Sequence, residues 1–368
     1  MSFSEELEEL RTAVREFLQD RSPETRVRAL METPTGFDRE VWTVMAEQLG
    51  LLGLGIPEEY GGAGYGFAEL GVVFEEMGRV LFGGPFLATV LAGQAILLTG
   101  DTQAAADLLP GIAAGRTVAT VAGLETEGRW GEEAVTTRAV ATADGWRLDG
   151  TVMFVLDGCS ADLLVVPART GAGVGLFAVD AAADGLGRTP LATLDQTRKQ
   201  ARIDLGGVGG RLLGGPGEGW PVLEKVRRLA LVALAAEQVG GAAKVLEDAV
   251  EYAKTRMQFG RPIGSFQAIK HKCADILVEV ESARSAAYQA VSAAAADDPE
   301  LPLVASIAAA YCAEAYVHAA AENIQIHGGI GFTWEHPAHL YFKRAKSSLL
   351  MFGDPVHHRE VVASLIPA

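Results

Sequence analysis

Apolar residues at the start of the chain recur at helical spacing: Leu7, Leu10, Val14 and Phe17 fall on one face. Residues 1–115 therefore read as helical. The segment from Gly53 to Gly64 breaks the pattern, and Pro57-Glu58-Glu59-Tyr60-Gly61-Gly62 has the composition of a turn between helices. Helical blocks follow over Phe67 to Val80 and Phe86 to Thr99. From Thr117 the rhythm changes to short β-branched runs at Val118, Ala139, Leu163 and Val174, set between Gly and Asp turns. Asp144-Gly145 is a hairpin signal between two of them. These runs predict a small antiparallel β-domain over residues 116–215. Gly206 to Gly219 holds eight glycines and reads as a loop or domain boundary. It lacks the strand–turn–helix context that a phosphate-cradling glycine loop needs. Beyond Pro221 the chain is alanine-rich and helical again, with long helices over Val222 to Thr255, Phe266 to Ala295, Pro302 to Gln325 and Pro337 to Leu350. Gly328-Gly329 ends one of them. The fold class is thus α+β and multi-domain: an N-terminal helical domain (1–115), a middle antiparallel β-domain (116–215) and a C-terminal four-helix bundle (216–368). The apolar bundle helices are expected to continue into an oligomer interface.

With 368 residues, 49% hydrophobic and 21% charged, the chain can bury a sizeable core. Its net charge of −16 leaves no basic surplus to neutralise phosphates, which argues against a nucleic-acid partner. Cys159, Cys273 and Cys312 are far apart and form no disulfide or metal spacing, so a reducing cytoplasm is expected. The acidic N-terminus does not read as a signal peptide. The apolar run near Leu91 to Leu98 is shorter than the roughly 20 residues a membrane span needs, and no membrane partner is expected. His357-His358 are adjacent and point apart on a helix, which suits a solvated or packed face better than one metal ion.

Three motifs stand in order along the chain: Pro57 to Gly62; Glu251 to Ile263, containing Arg256-Met257-Gln258-Phe259-Gly260, followed by Phe266-Gln267; and Gln325-Ile326-His327-Gly328-Gly329-Ile330-Gly331. With Lys343-Arg344-Ala345-Lys346 and Met351-Phe352-Gly353-Asp354, they make nearly the whole chain resemble the acyl-CoA dehydrogenase family. The helical, β, helical order is that family's layout. The resemblance implies an FAD-linked oxidoreductase that places an α,β double bond in an acyl-CoA thioester, in fatty acid or steroid side-chain degradation. It further implies electron transfer to an electron-transfer flavoprotein or similar acceptor, and a tetramer. It assigns Arg256, Gln258, Phe259, Gln325, Ile326, Gly328 and Gly329 to the FAD of a neighbouring subunit. Arg256 is a permanent cation with a planar fork of donors, suited to a pyrophosphate, and glycines let backbone approach a cofactor. Taken alone, the same residues also read as a helix C-cap and a helix stop.

The chain departs from the family where the chemistry is done. The glutamate that removes the α-proton is replaced by Phe352, and the alternative position on the preceding long helix is Ala230. Asp354 and Glu237 are the nearest carboxylates for a relocated base. In the β-domain, Leu124-Glu125-Thr126-Glu127-Gly128 and Phe154-Val155-Leu156 stand where the family holds the flavin ring with hydroxyls at the positions of Leu124 and Leu156. What serves a subunit's own site is eroded, and what serves a neighbour's FAD is kept. This predicts a non-catalytic subunit paired with an unlike acyl-CoA dehydrogenase chain. The alternatives are a self-sufficient flavin enzyme with a relocated base, a flavin-free scaffold, and a different flavin reaction that needs no glutamate.

Overall fold

The computed structural model describes residues 5–123 and 131–366. The first part carries α1 (Glu5–Arg21), α2 (Glu24–Met31), α3 (Arg39–Glu47), α4 (Phe67–Arg79), α5 (Phe86–Leu98) and α6 (Thr102–Ala113). Strands follow as β1 (Ala119–Val121), β2 (Arg138–Thr142), β3 (Gly145–Leu156), β4 (Leu163–Thr170), β5 (Gly173–Asp180), β6 (Leu186–Pro190) and β7 (Gln200–Leu213). The rest is α7 (Gly219–Thr255), the two-residue strands β8 (Met257–Gln258) and β9 (Arg261–Pro262), then α8 (Gln267–Ala295), α9 (Leu301–His327), α10 (Ala338–Leu350) and α11 (Pro355–Leu365). The chain is helical, then β, then helical, as the pattern of apolar positions predicts. By its contacts it divides into two compact units, one of residues 1–28, 67–82 and 231–368, the other of residues 29–66 and 83–230.

In the second unit, β4–β2–β3–β7–β5 pair in sequence and β5 returns to β4, so the sheet curls on itself; β1 adds to β4 and β6 to β7. Most pairings are antiparallel, but β1–β4 and β2–β4 are parallel, which the expectation of an antiparallel domain did not include. Asp144-Gly145 does make the predicted hairpin, with Thr142 opposite Gly145. The glycine-rich run differs from expectation. Gly206, Gly207, Gly209 and Gly210 lie inside β7, not in a loop. At Leu148/Asp149 the register slips by one, and Gly207, at φ +65°, is the extra bulge residue. A side chain at Gly210 would meet Leu148 at 2.8 Å. Leu148, Leu164, Phe177, Ile203 and Val208 fill the core inside the sheet. The turn Pro57 to Gly62 holds Gly61 at φ +80°, and a Cβ on Gly62 would overlap the carbonyl oxygen of Ile56.

In the first unit, α9 packs against α8, α10 and α11. The four predicted long helices are all present. The fifth, α11, was not among them; Asp354 caps its N-terminus and Pro355 begins it. Buried Ile276, Val280, Ala283, Ala287 and Ala290 form the inner stripe of α8. Glycines on both helices let α4 and α7 touch backbone to backbone. A Cβ at Gly78 would overlap the Glu237 carbonyl oxygen, and one at Gly240 the Glu75 carbonyl oxygen. Between these helices and α1 and α8, the buried carboxylates Glu75 and Glu76 meet Arg11 at 3.0 and 3.1 Å; Arg15 reaches Glu76 at 2.7 Å. Arg284 pairs with Glu75, and Tyr288 donates its hydroxyl to Glu75 at 2.8 Å. Two adjacent buried carboxylates are tolerable only with this many partners. The helices α7 and Leu301–Phe332 are long and apolar enough to cross a membrane, but 94% and 67% of their most apolar windows are buried inside the fold.

Candidate functional site

The hairpin after α7 presents the first group of candidate residues. Met257 pairs with Pro262 and Gln258 with Arg261, so Phe259-Gly260 form the two-residue turn. Both have positive φ, +51° and +76°, which is the geometry of a type I′ turn. Asn-Gly is the favoured sequence there; phenylalanine in the left-handed region costs about 1–2 kcal/mol. The side chain is also 91% exposed, so burial does not offset that cost. The Phe259 ring meets Phe266 edge-on at 6.1 Å, and the Arg261 guanidinium lies 4.1 Å over Phe266. Arg256 and Gln258 are exposed. Among the described residues the Arg256 side chain has no carboxylate partner.

The second group sits at the end of α9. Gln325, Gly328 and Gly329 are exposed, and no atom outside the local chain lies within 4 Å of a Cβ built on either glycine. Gly328 leaves the helix with φ +64°. Ile326 differs: its side chain is buried, packed on Ala249 and Ala253 with Tyr252, Ile263, Ile269 and Cys273 around it. It anchors the helix ends and offers no side chain to a ligand. The structure therefore brings Arg256, Gln258 and Phe259 to one end of the unit that also carries Gln325 and the glycines. The Tyr252 and His327 rings, stacked at 4.2 Å, join the two groups.

Phe352, the residue expected at the family's glutamate position, is 1% exposed and held at φ +62°. It is a packed hydrocarbon with no capacity to accept a proton. Ala230 is fully buried on α7. Neither candidate for a relocated base is idle. Asp354 accepts the His357 N–H at 2.8 Å as the cap of α11 and is exposed. Glu237 is buried and accepts from the Arg344 guanidinium at 2.8 Å. Arg344 was the partner that sequence reasoning missed. The signal was a lone carboxylate in an apolar stretch of α7; Arg344, flanked by Lys343 and Lys346, does not stand out in the sequence.

In the β region, Leu124 to Gly128 lie outside the described residues. Phe154 sits at a second bulge of β3 with φ +56°, while Val155 and Leu156 are buried. The Leu156 carbonyl accepts from Thr120 at 2.7 Å. Among the described residues no cluster of His, Cys, Asp or Glu has metal-binding geometry. His358 is buried, and burial beside His357 pushes its pKa down to about 4. It is part of a packed helix face.

Residues 4–116 match the acyl-CoA dehydrogenase N-terminal domain and residues 217–366 the acyl-CoA dehydrogenase C-terminal domain. The chain belongs to the acyl-CoA dehydrogenase family of oxidoreductases, whose members generally bind FAD. It is 37% identical to acyl-CoA dehydrogenase IpdE2 of Mycobacterium tuberculosis over 367 residues, 99% of this chain and 98% of that protein. Among solved structures it is similar to a variant of the Tcur3481-Tcur3483 steroid ACAD, with TM-score 0.88 and 36% identity over 98% of this chain and 97% of that one. It is similar also to the ChsE4-ChsE5 complex from Mycobacterium tuberculosis, with TM-score 0.90 and 30% identity over 100% and 99% of the two chains.

Proposed function

We propose that this chain is the member of an unlike pair of acyl-CoA dehydrogenase chains that lacks the base and completes its partner's FAD site. One contrast carries the reading. Phe352, at the base position, is sealed in packing, whereas Arg256, Gln258, Phe259, Gln325, Gly328 and Gly329 stand at the surface. Those surface groups fit the cofactor. An unpaired guanidinium suits a pyrophosphate, an exposed ring suits the adenine face, and bare glycine backbone permits close approach. When bound, FAD supplies the hydride acceptor for α,β-dehydrogenation of an acyl-CoA thioester. This chain's residues contribute charge neutralisation and shape, and the α-proton is left to a carboxylate of the unlike chain. The commitment of Glu237 to Arg344 and of Asp354 to a helix cap weighs against a self-sufficient enzyme.

Other observations support the same reading. Tcur3481-Tcur3483 and ChsE4-ChsE5 are both named as two-component proteins, and the first is named as a steroid ACAD. A steroid-derived or fatty acyl thioester is the corresponding substrate class. Leu277 and Val278 on α8 and Ile307 and Tyr311 on α9 are exposed apolar side chains, suited to a tetramer interface. A cytoplasmic location and an electron-transfer flavoprotein acceptor complete the proposal.

The test is an anaerobic acyl-CoA titration followed by the visible flavin spectrum. The chain alone, supplied with FAD, should show no bleaching. The chain co-expressed with an acyl-CoA dehydrogenase chain that carries the glutamate should. Full bleaching by the chain alone sinks the proposal.

A further inference from the structure

We propose that Tyr252, His327 and His336 form a ring column that sets the glycine loop Gly328–Phe332 against the Arg256–Phe259 hairpin, making them positioning residues of the cofactor-facing surface. The placement of that surface rests on the function proposed above; the column itself rests on geometry. Tyr252 lies in the last turn of α7, and its carbonyl accepts the Arg256 N–H at 2.8 Å. His327 is the last residue of α9. Their rings stack at 4.2 Å with 27° between planes. His327 also meets His336 at 4.3 Å and 46°. His336 sits beyond the glycine loop, at the threshold of α10. The column thus joins the end of α7, the end of α9 and the exit of the loop.

Hydrogen bonds fix the ring planes as well as their contact. His327 Nδ1 lies 2.9 Å from the Asn323 carbonyl oxygen. A carbonyl only accepts, so Nδ1 carries the proton and donates. His336 Nδ1 accepts the Ala338 N–H at 3.2 Å, so in the neutral ring its proton is on Nε2. The tautomer of His327 is set by a carbonyl of its own helix α9, and that of neutral His336 by the first N–H of α10. Burial, and then the neighbouring His327, lower the pKa of His336, while Asp248 and Glu24 oppose this and Arg28 adds to it. The lowered pKa of His336 favours the unprotonated Nδ1 that accepts the Ala338 N–H. The loop lies flush on the column: a Cβ at Gly331 would sit 2.9 Å from the His327 Cβ. An aliphatic side chain at residue 327 would fill volume but would offer no ring to stack between Tyr252 and His336.

The test compares His327→Ala, His336→Ala and His327→Phe with the native chain. Hydrogen exchange is followed at the Gly328 amide, which caps α9, and at the Thr333 amide, which bonds to the Ile330 carbonyl. Val280 and Ala283 in α8 serve as controls for global opening. The alanine variants should exchange about tenfold faster or more at Gly328 and Thr333 with unchanged controls. His327→Phe, which keeps the ring stack, should recover most of the protection. FAD affinity is then measured for each variant paired with a glutamate-bearing chain, and should weaken in the same order. Unchanged exchange in both alanine variants overturns the column. Faster exchange with unchanged FAD affinity overturns its positioning role. Faster exchange in a system where even the native pair retains no FAD supports the column and overturns the half-site reading, so the two failures are distinct.

Discussion

Glu237 and Arg344 form an ion pair of 2.8 Å in which the two residues are 7% and 2% exposed. They are separated by 107 residues of sequence. Arg344 also donates to the Phe82 carbonyl at 3.3 Å. Removing one member leaves an uncompensated buried charge. Glu237→Ala should therefore cost about 3–5 kcal/mol in urea denaturation, while Glu237→Leu with Arg344→Met should cost far less. A small loss in the single variant would mean that water or another group already stabilises Arg344.

Phe352 is buried at a left-handed backbone position. Truncation to alanine should cost about 3–5 kcal/mol through lost burial and a cavity. Phe352→Gly deletes one further atom yet relieves the φ of +62°, so it should be no less stable than Phe352→Ala. At an ordinary helical or extended position, glycine would be the worse of the two by about 0.5–1 kcal/mol. Chemical denaturation of both variants decides it.

Phe259 pays a conformational cost with only an edge contact to Phe266 inside the unit to offset it. Phe259→Asn restores the favoured type I′ pair and should stabilise the isolated chain by about 1 kcal/mol. The same variant should weaken FAD retention in the paired protein. Stabilisation without any loss of flavin would remove Phe259 from the cofactor surface.

His358 has its pKa depressed to about 4 from an ordinary value of 6.5. Between those values the unfolded chain binds the proton and the folded chain does not, so acid favours unfolding. Stability should be insensitive to this group above pH 6.5 and fall as the pH drops towards 4. Denaturation midpoints at pH 7 and pH 5 for the native chain and His358→Gln check it. The variant should lose less stability over that interval, and an equal loss would contradict the assignment.

Asp354→Ala removes the cap of α11 and should cost about 1 kcal/mol. It should leave the flavin bleaching of the paired protein unchanged, because the carboxylate is engaged with the His357 amide. Loss of bleaching at unchanged stability would restore Asp354 as a candidate base.

How much of this was legible in the sequence depends on range. The blocks from Phe67 and Phe86 were visible because each is a proline-free, apolar-rich run set between glycine-rich breaks, and the structure ends them at Arg79 and Leu98. β7 was hidden because its glycines mimic a loop. They serve instead a bulge at Gly207 and close packing at Gly210, which depend on Leu148 in another strand. Arg256 to Gly260 and Gln325 to Gly329 were readable as local motifs. The inward turn of Ile326, the strain at Phe259 and Phe352, and the Glu237–Arg344 pair were not. Each depends on backbone angles or on partners that no window of neighbouring residues contains.

The close crossing of α4 and α7 has an evolutionary consequence. Gly78 faces the Glu237 carbonyl and Gly240 faces the Glu75 carbonyl, so each helix has given up a side chain to the other's backbone. A mutation to alanine at either position pushes apart the two helices that carry Glu75, Glu76 and Glu237. It therefore strains the ion pairs of Glu75 and Glu76 as well as the local contact. Such positions cannot drift singly. Lineages that abandon one glycine are expected to have moved the helices, rebuilt the buried charges and abandoned the other glycine too, leaving the pair as an inherited unit rather than two independent residues.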